Sequence, residues 1–119
     1  MVVYAKTANK SFLFTGDLER EGEKRLIEQY PGLKVDVLKA GHHGSKTSSD
    51  SLFIQKIDPE NAVISCGRNN RFKHPHEETL TVLKQANIDI FQTNKNGMIY
   101  YEWTPFSNMS SAKIVMEED

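Results

Sequence analysis

Short apolar runs alternate with amphipathic stretches along most of the chain, and this pattern predicts strands that alternate with helices. The apolar runs are rich in β-favouring residues and end in polar or glycine-containing loops, at 11–15 (SFLFT), 33–40 (LKVDVLKA) and 61–66 (NAVISC). Apolar residues at helical spacing predict helices at 18–30, 49–57 and 77–87. A repeated strand, loop and helix unit predicts an α/β fold, with a mixed sheet and flanking helices.

The C-terminal part of the sequence predicts a hairpin followed by a tail. Residues 88–93 (IDIFQT) and 98–103 (MIYYEW) are strand-like and are joined by Asn-Lys-Asn-Gly, which is typical of a hairpin turn. Residues 104–119 are mixed and polar with an acidic end, so we expect a loosely packed tail there. The predicted organisation is one domain at 1–103 and a polar tail at 104–119. The strand-like start at 1–4 suggests a segment of something longer.

Composition narrows the class of protein. The chain has 119 residues and a net charge of -1, values that suit a single globular domain. The near-neutral charge argues against a dedicated DNA-binding module, which needs a clustered basic surface, but not against a nuclease, whose metal ions add positive charge. Cys66 is the only cysteine, which excludes an intrachain disulfide. Because no apolar run approaches the length of a membrane span, we expect the chain itself to be soluble.

All four histidines fall in two short loops, each after a predicted strand. His42 and His43 are adjacent and stand between two glycines, while His74 and His76 flank a proline. An isolated histidine is usually a surface or core residue, but two pairs at strand ends favour chemistry. Neutral imidazole binds zinc and also suits manganese or iron. The two loops therefore predict a site at the sheet edge.

Asp17 is the candidate carboxylate of this site. It directly follows the predicted strand at 11–15, which fixes its direction, and a carboxylate can bridge two cations. The alternative is that Asp17 caps the helix predicted to follow it, where an acidic side chain satisfies free backbone N–H groups. Together with the histidine pairs, we interpret Asp17 as a metal ligand.

Three segments carry a resemblance to a known family. They are FTGDL at 14–18, VLKAGHHGSK at 37–46, and ISCGRNN at 64–70 leading to HPH at 74–76. In this order and spacing they resemble the later motifs of the metallo-β-lactamase-like domain of ComEC-type competence proteins, over about residues 9 to 103. The resemblance implies an αββα sandwich, of which this chain would be the C-terminal half.

The resemblance also implies roles for individual residues. Asp17 would bridge two metal ions, and either His43 or His42 would be a further ligand. His74 and His76 would lie at the rim of the site, where they could bind phosphate, protonate a leaving group or act as ligands. Predicted substrate-binding residues in the surrounding loops, which could equally be solvated, are Ser45, Lys46, Asn69, Asn70 and Arg71.

One motif of that family is absent from this sequence, the HxHxDH cluster of the N-terminal half. The full domain is expected to hold two zinc or manganese ions. Asp17 and one histidine supply about two ligands, whereas a catalytic zinc usually has about three and a water. We therefore expect weak metal binding or none, and no activity, in this chain alone. Without its other half, the sheet would expose apolar surface and favour self-association.

The implied function is hydrolysis of phosphodiesters in single-stranded DNA, held through its backbone phosphates, during DNA uptake. The parent protein would lie in the bacterial cell membrane, with this domain on the extracellular side and joined to the membrane channel domain of the same chain. Two alternatives stay open. The chain could be a non-catalytic interaction domain of the same fold, or part of a hydrolase of small phosphodiesters.

Overall fold

The computed structural model describes residues 1–7, 10–67, 73–102 and 113–117. The elements of these ranges, in chain order, are β1 (Val3–Lys6), β2 (Ser11–Phe14), α1 (Arg20–Gln29), β3 (Val37–Lys39), a 3-10 turn (Gly41–Gly44), α2 (Ser51–Ile57), β4 (Asn61–Ile64), α3 (Glu77–Gln85), β5 (Asp89–Gln92), α4 (Thr93–Asn96), β6 (Met98–Glu102) and β7 (Lys113–Glu117).

A five-stranded mixed sheet forms the centre of the fold, in the order β1-β2-β3-β4-β5. β1 is antiparallel to β2, and the remaining neighbours are parallel. Because the parallel strands follow chain order and crossovers are almost always right-handed, the helices between them cover one face. Accordingly, α1 packs against α2, and α2 packs against α3. The predicted α/β class, a mixed sheet with flanking helices, is confirmed, and it is compatible with half of an αββα sandwich.

The hydrophobic core lies between this sheet face and the helices. Strand residues such as Leu13, Leu38 and Ile64 are nearly inaccessible to solvent, and they pack in one cluster with Phe53 and Ile57 of α2. Alternation along β2 explains why Leu13 is buried here while Phe14 faces the other way. Burial of such side chains stabilises the fold by about 1.5–3 kcal/mol each.

The opposite face of the sheet carries an apolar groove with a cavity volume of about 520 Å³. Its walls include Ala5, Phe12, Phe14, Val37, Val63 and Ile99. Phe14 is 40% exposed in this groove, which is high for a phenylalanine at the centre of a sheet. We call this surface the apolar face.

The prediction of a hairpin at 88–103 is wrong, because β5 and β6 belong to different sheets. β6 pairs with β7 in antiparallel register rather than with β5, and Thr93–Asn96 forms one helical turn. Asparagine and glycine are also common where helices end, and Gly97 has a φ of 70° directly after α4. The Asn-Lys-Asn-Gly segment is therefore compatible with a helix end as well as with a hairpin turn. β7 also corrects the expectation of a loosely packed tail for Lys113–Glu117, where Ile-Val-Met is a local strand signal. The rest of that tail lies outside the described residues.

Helix α1 is shorter than predicted, and Leu26 and Ile27 of its apolar stripe pack against the core. It ends at Gln29, and Tyr30, the last residue of the predicted helix, is 53% exposed. Glu23 is the residue that is buried, with 1% exposure. Within the ranges described, no helix combines the length and apolar composition required to cross a lipid bilayer.

Candidate active site at the sheet edge

Three loops meet at the carboxyl ends of β2, β3 and β4, because parallel strands end at the same edge of a sheet. The central loop carries His42 and His43 and is hydrogen-bonded to both neighbours. The backbone N–H of His42 donates to the carbonyl of Gly16 at 2.7 Å, and that of His76 donates to the carbonyl of Gly44 at 2.9 Å. Backbone hydrogen bonds thus join the three polar loops that the sequence predicted as one site.

The glycines that flank the histidine pair permit this close approach. A Cβ atom on Gly41 would lie 2.9 Å from Oγ1 of Thr15, and one on Gly44 would lie 2.7 Å from Cβ of Pro75. Gly44 also has a φ of 81°, which L-residues with a side chain rarely adopt. The glycines therefore belong to the site because no side chain fits between the loops.

The two histidines between these glycines adopt a left-handed backbone conformation. His42 and His43 each have a φ of 53°, and the turn is closed by a hydrogen bond of 2.9 Å from Ser45 N–H to the carbonyl of His42. This conformation costs roughly 1–2 kcal/mol per residue. Such strain persists only where surrounding contacts fix it, and it is concentrated at functional sites.

The four imidazole rings form one cluster centred on His74. The centroid of His74 lies 4.7 Å from that of His76, 6.1 Å from that of His42 and 6.2 Å from that of His43. Partial burial, and then the charges that these three neighbours carry when protonated, lower the pKa of His74. His74 is therefore held toward its neutral form, in which a ring nitrogen can accept a hydrogen bond, a proton or a metal ion.

Main-chain partners orient two of these rings in opposite ways. Nδ1 of His43 lies 2.8 Å from the carbonyl oxygen of Ser65, which can only accept, so this nitrogen carries a proton and the lone pair of the neutral tautomer is on Nε2. Nδ1 of His76 instead accepts from the backbone N–H of Lys46 at 2.9 Å. A carbonyl partner on the distal nitrogen is the usual arrangement of a metal-binding histidine. His43 has this arrangement.

The tautomer of His42 is not fixed in the same way. Its Nδ1 lies 3.3 Å from Oγ1 of Thr47, and a hydroxyl group can donate or accept. Its partner therefore does not decide which ring nitrogen keeps the lone pair.

Asp17 lies in an exposed turn beside the histidine loop. Its neighbour Gly16 provides the carbonyl that accepts from His42. The N-cap residue of α1 is Glu19, so the alternative that Asp17 caps this helix is wrong. Over residues 1–7, 10–67, 73–102 and 113–117, no group of three or more His, Cys, Asp and Glu side chains is arranged to hold a metal ion.

The predicted substrate-binding residues differ in their surroundings. Ser45 is buried, and its hydroxyl lies 2.9 Å from that of Thr47, whereas Lys46 is exposed at the rim beside His76. The remaining three, Asn69, Asn70 and Arg71, lie outside the described residues. The substrate contacts of all five stay predictions.

Two buried polar side chains that the sequence analysis missed hold the central loop in place. Both carboxylate oxygens of Glu23 accept backbone hydrogen bonds, from Ser49 at 2.6 Å and Asp50 at 2.9 Å. Thr79 donates its hydroxyl hydrogen to the carbonyl of Ser45 at 3.0 Å. The sequence did contain one indication that Glu23 is buried. It lies four residues before Ile27, so it is a charged residue on the apolar side of the predicted helix.

Burial raises the pKa of Glu23, although its two backbone hydrogen bonds act in the opposite direction. The site thus depends on a carboxylate that is shielded from solvent.

The chain is similar to short parts of several curated bacterial proteins, although no protein-family profile matches it. It is 45% identical over 103 residues to ComE operon protein 3 of Bacillus subtilis, 39% over 92 residues to Competence protein ComA of Neisseria gonorrhoeae, and 35% over 98 residues to Recombination protein 2 of Haemophilus influenzae. These matches cover 87%, 76% and 82% of this chain, but only 13%, 13% and 12% of the respective proteins. The chain is therefore similar to one segment, about an eighth of the length, of each of these bacterial proteins, one of which is named as a competence protein.

Proposed function

We propose that this chain is the C-terminal half of a metal-dependent nuclease or phosphodiesterase domain in a protein of bacterial DNA uptake. The observation that carries the proposal is the convergence of the Asp17 turn and both histidine loops at one sheet edge. The names of the relatives, two of which refer to competence or its operon, support DNA as the substrate of the parent.

The donor set fits zinc or manganese in part. His43 would bind through Nε2, since its Nδ1–H is bonded to Ser65, and Asp17 would supply a carboxylate. His42 is the alternative imidazole ligand. The other donors would come from a preceding part of the longer protein, where the resembling family carries its HxHxDH cluster. When bound, two such ions activate water and neutralise charge on a phosphoryl group.

The groups around the cluster fit the binding of a phosphodiester. The exposed ammonium group of Lys46 lies on the loop that holds His76, and neutral His74 can accept a hydrogen bond or a proton. Asn69, Asn70 and Arg71 would add contacts to backbone phosphates, which carry little information about base sequence. The site would therefore act on single-stranded DNA without strong sequence preference.

The apolar face supports the proposal that a second half-domain belongs to this one. A groove with Phe14 40% exposed is unusual for the middle of a sheet. In the parent, the N-terminal half of an αββα sandwich would cover it, and the domain would be joined to a membrane channel on the extracellular side of the cell membrane.

A non-catalytic interaction domain is the second candidate function. The absence of a three-ligand group from the described residues favours it. In that case the histidine cluster would be a remnant of a metal site, and the longer protein would bind DNA or another partner without hydrolysing it.

The test uses the longer protein that includes the preceding region, with single-stranded DNA as substrate and manganese or zinc added. We expect hydrolysis, and we expect Asp17→Asn to reduce it by more than about 100-fold, since even indirect partners of metal ligands account for about 10- to 100-fold. Asp58→Asn is the matched control, because Asp58 is exposed and its left-handed backbone tolerates asparagine.

Three outcomes separate the candidates. Hydrolysis that is lost only in Asp17→Asn supports the proposal. DNA binding without hydrolysis supports the interaction domain, and faster hydrolysis of small phosphodiesters than of DNA changes the substrate class. Full activity in Asp17→Asn would refute the assigned ligand.

A further inference from the structure

The backbone of Lys46 determines the protonation pattern of His76. The Lys46 N–H donates to Nδ1 of His76 at 2.9 Å. A backbone amide can only donate, so the nitrogen it faces must have a lone pair rather than a proton. In neutral His76 the single ring proton is then on Nε2.

The segments that make this bond are held together independently of the ring. The His76 N–H donates to the carbonyl of Gly44, and the buried hydroxyl of Thr79 donates to the carbonyl of Ser45. Because these two bonds tie residues 44–45 to residues 76–79, the Lys46 N–H cannot turn away from the imidazole without straining neighbouring bonds. The tautomer of His76 is therefore a property of the fold.

His43 and His76 consequently present different chemistry within one cluster. Ser65 leaves His43 with a lone pair on Nε2, which suits a metal ion. Lys46 leaves His76 with an N–H at Nε2, which suits an anionic oxygen. In their neutral forms, His43 can therefore bind a cation through the lone pair on Nε2, and His76 can donate its Nε2–H to a phosphate oxygen.

We propose that His76 donates its Nε2–H to a non-bridging phosphate oxygen of the substrate, and that the backbone of Lys46 is the positioning group. The identity of the substrate rests on the proposed function. A metal ligand would need a lone pair on Nε2. An acid for the leaving group would be an imidazolium, which also has a proton on Nδ1, and that proton would face the Lys46 N–H. Of the three roles that the sequence left open for His76, the geometry selects phosphate binding.

The first test reads the tautomer directly and does not depend on activity. Two-bond ¹H–¹⁵N correlation spectra of this chain near neutral pH should show His76 with Nε2 protonated and His43 with Nδ1 protonated. Lys46→Pro removes the backbone amide proton, so His76 should then show a mixture of its two tautomers. Lys46→Ala keeps the amide proton, so His76 should keep its single tautomer. Proline is compatible with the extended conformation of the preceding Ser45, whose ψ is 145°.

A ring at His76 with a proton on Nδ1 would overturn the proposal whatever the protein hydrolyses. An unchanged tautomer in Lys46→Pro would overturn the role of Lys46.

The second test uses the longer protein and separates a donor from an acid. His76→Gln retains an N–H donor near the position of Nε2 but cannot supply a proton, so we expect its KM to stay within about 3-fold of wild type. His76→Ala loses a hydrogen bond to a charged group and should raise KM by roughly 10-fold or more. Equal losses of kcat in both variants would contradict the donor role. Absence of any hydrolysis would refute the proposed function while leaving the tautomer result intact.

Discussion

The carboxylate of Glu23 accepts a hydrogen bond of 2.6 Å from the backbone N–H of Ser49, at the end of the loop that carries His42 and His43. A second bond of 2.9 Å comes from Asp50, the N-cap of α2. Helix α1 thereby holds the far end of the histidine loop through a side chain that solvent hardly reaches. The pKa of Glu23 is raised because burial outweighs these bonds, so its ionisation is linked to the stability of the fold.

The first prediction concerns the pH dependence of unfolding. Because the folded-state pKa of Glu23 lies above its ordinary value of 4.5, the folded chain binds this proton more tightly than the unfolded chain does. Its contribution to the free energy of unfolding is fully present below the unfolded pKa and is lost as pH rises through the folded pKa. Glu23→Gln cannot titrate and should lack this component of the decline.

Urea denaturation over a pH series that begins near the ordinary pKa of a glutamate carboxyl and rises through neutral pH measures the effect. Glu28→Gln, at an exposed position of the same helix, is the control and should follow the wild-type curve. A constant difference in unfolding free energy between wild type and Glu23→Gln across this pH series would contradict the prediction.

The order of strands and helices was accessible from the sequence because local signals agreed with the tertiary contacts. The β2 run SFLF ends before Gly16, and the cap at Asp50 begins α2, where its side chain accepts from Leu52 N–H. The structure after residue 92 was harder to predict, because β6 pairs with β7, and local sequence patterns do not show which strands pair. The Asn-Lys-Asn-Gly segment is compatible with either a hairpin or a helix end.

The site was predictable in location but not in detail. Parallel strands bring their carboxyl ends together, so two histidine loops after successive strands were expected to meet. No pattern in the sequence shows that Ser65 and Lys46 bind different histidines, because these partners are backbone atoms that every residue has. Glu23 was missed for a related reason, since a helical charge is usually solvated.

The second prediction concerns the glycine that joins two loops of the site. In Gly44→Ala, the new Cβ would lie 2.7 Å from Pro75 Cβ and 3.1 Å from Ile64 Cγ2, on a backbone with a φ of 81°. We expect the free energy of unfolding to fall by about 2–4 kcal/mol, from left-handed strain and overpacking together. Gly32→Ala is the matched control, since nothing lies within 4 Å of its Cβ position, and it should change stability by less than about 0.5 kcal/mol. Similar unfolding midpoints for the two variants would show that the loops do not approach so closely.

The third prediction distinguishes the two adjacent histidines as metal ligands. Calorimetric titration of the longer protein with zinc should show that His43→Ala weakens binding by at least about 10-fold more than His42→Ala, because the Ser65 carbonyl fixes only the ring of His43. The present chain should bind zinc weakly or not at all. A larger loss in His42→Ala would transfer the ligand role to His42, and tight binding by the present chain would contradict the need for further donors.

The fourth prediction concerns the apolar face. Phe14 is 40% exposed in the groove on the side of the sheet opposite the helices, and exposed apolar patches of this kind drive association. We expect the present chain to self-associate with increasing concentration, and Phe14→Ser to weaken this association in sedimentation velocity experiments. Tyr30→Ser is the control, because Tyr30 is 53% exposed at the end of α1 and outside the groove. If the longer protein covers this face with its own chain, it should remain monomeric at concentrations at which the present chain associates. Equal association of the Phe14→Ser and wild-type chains would place the contact on another surface.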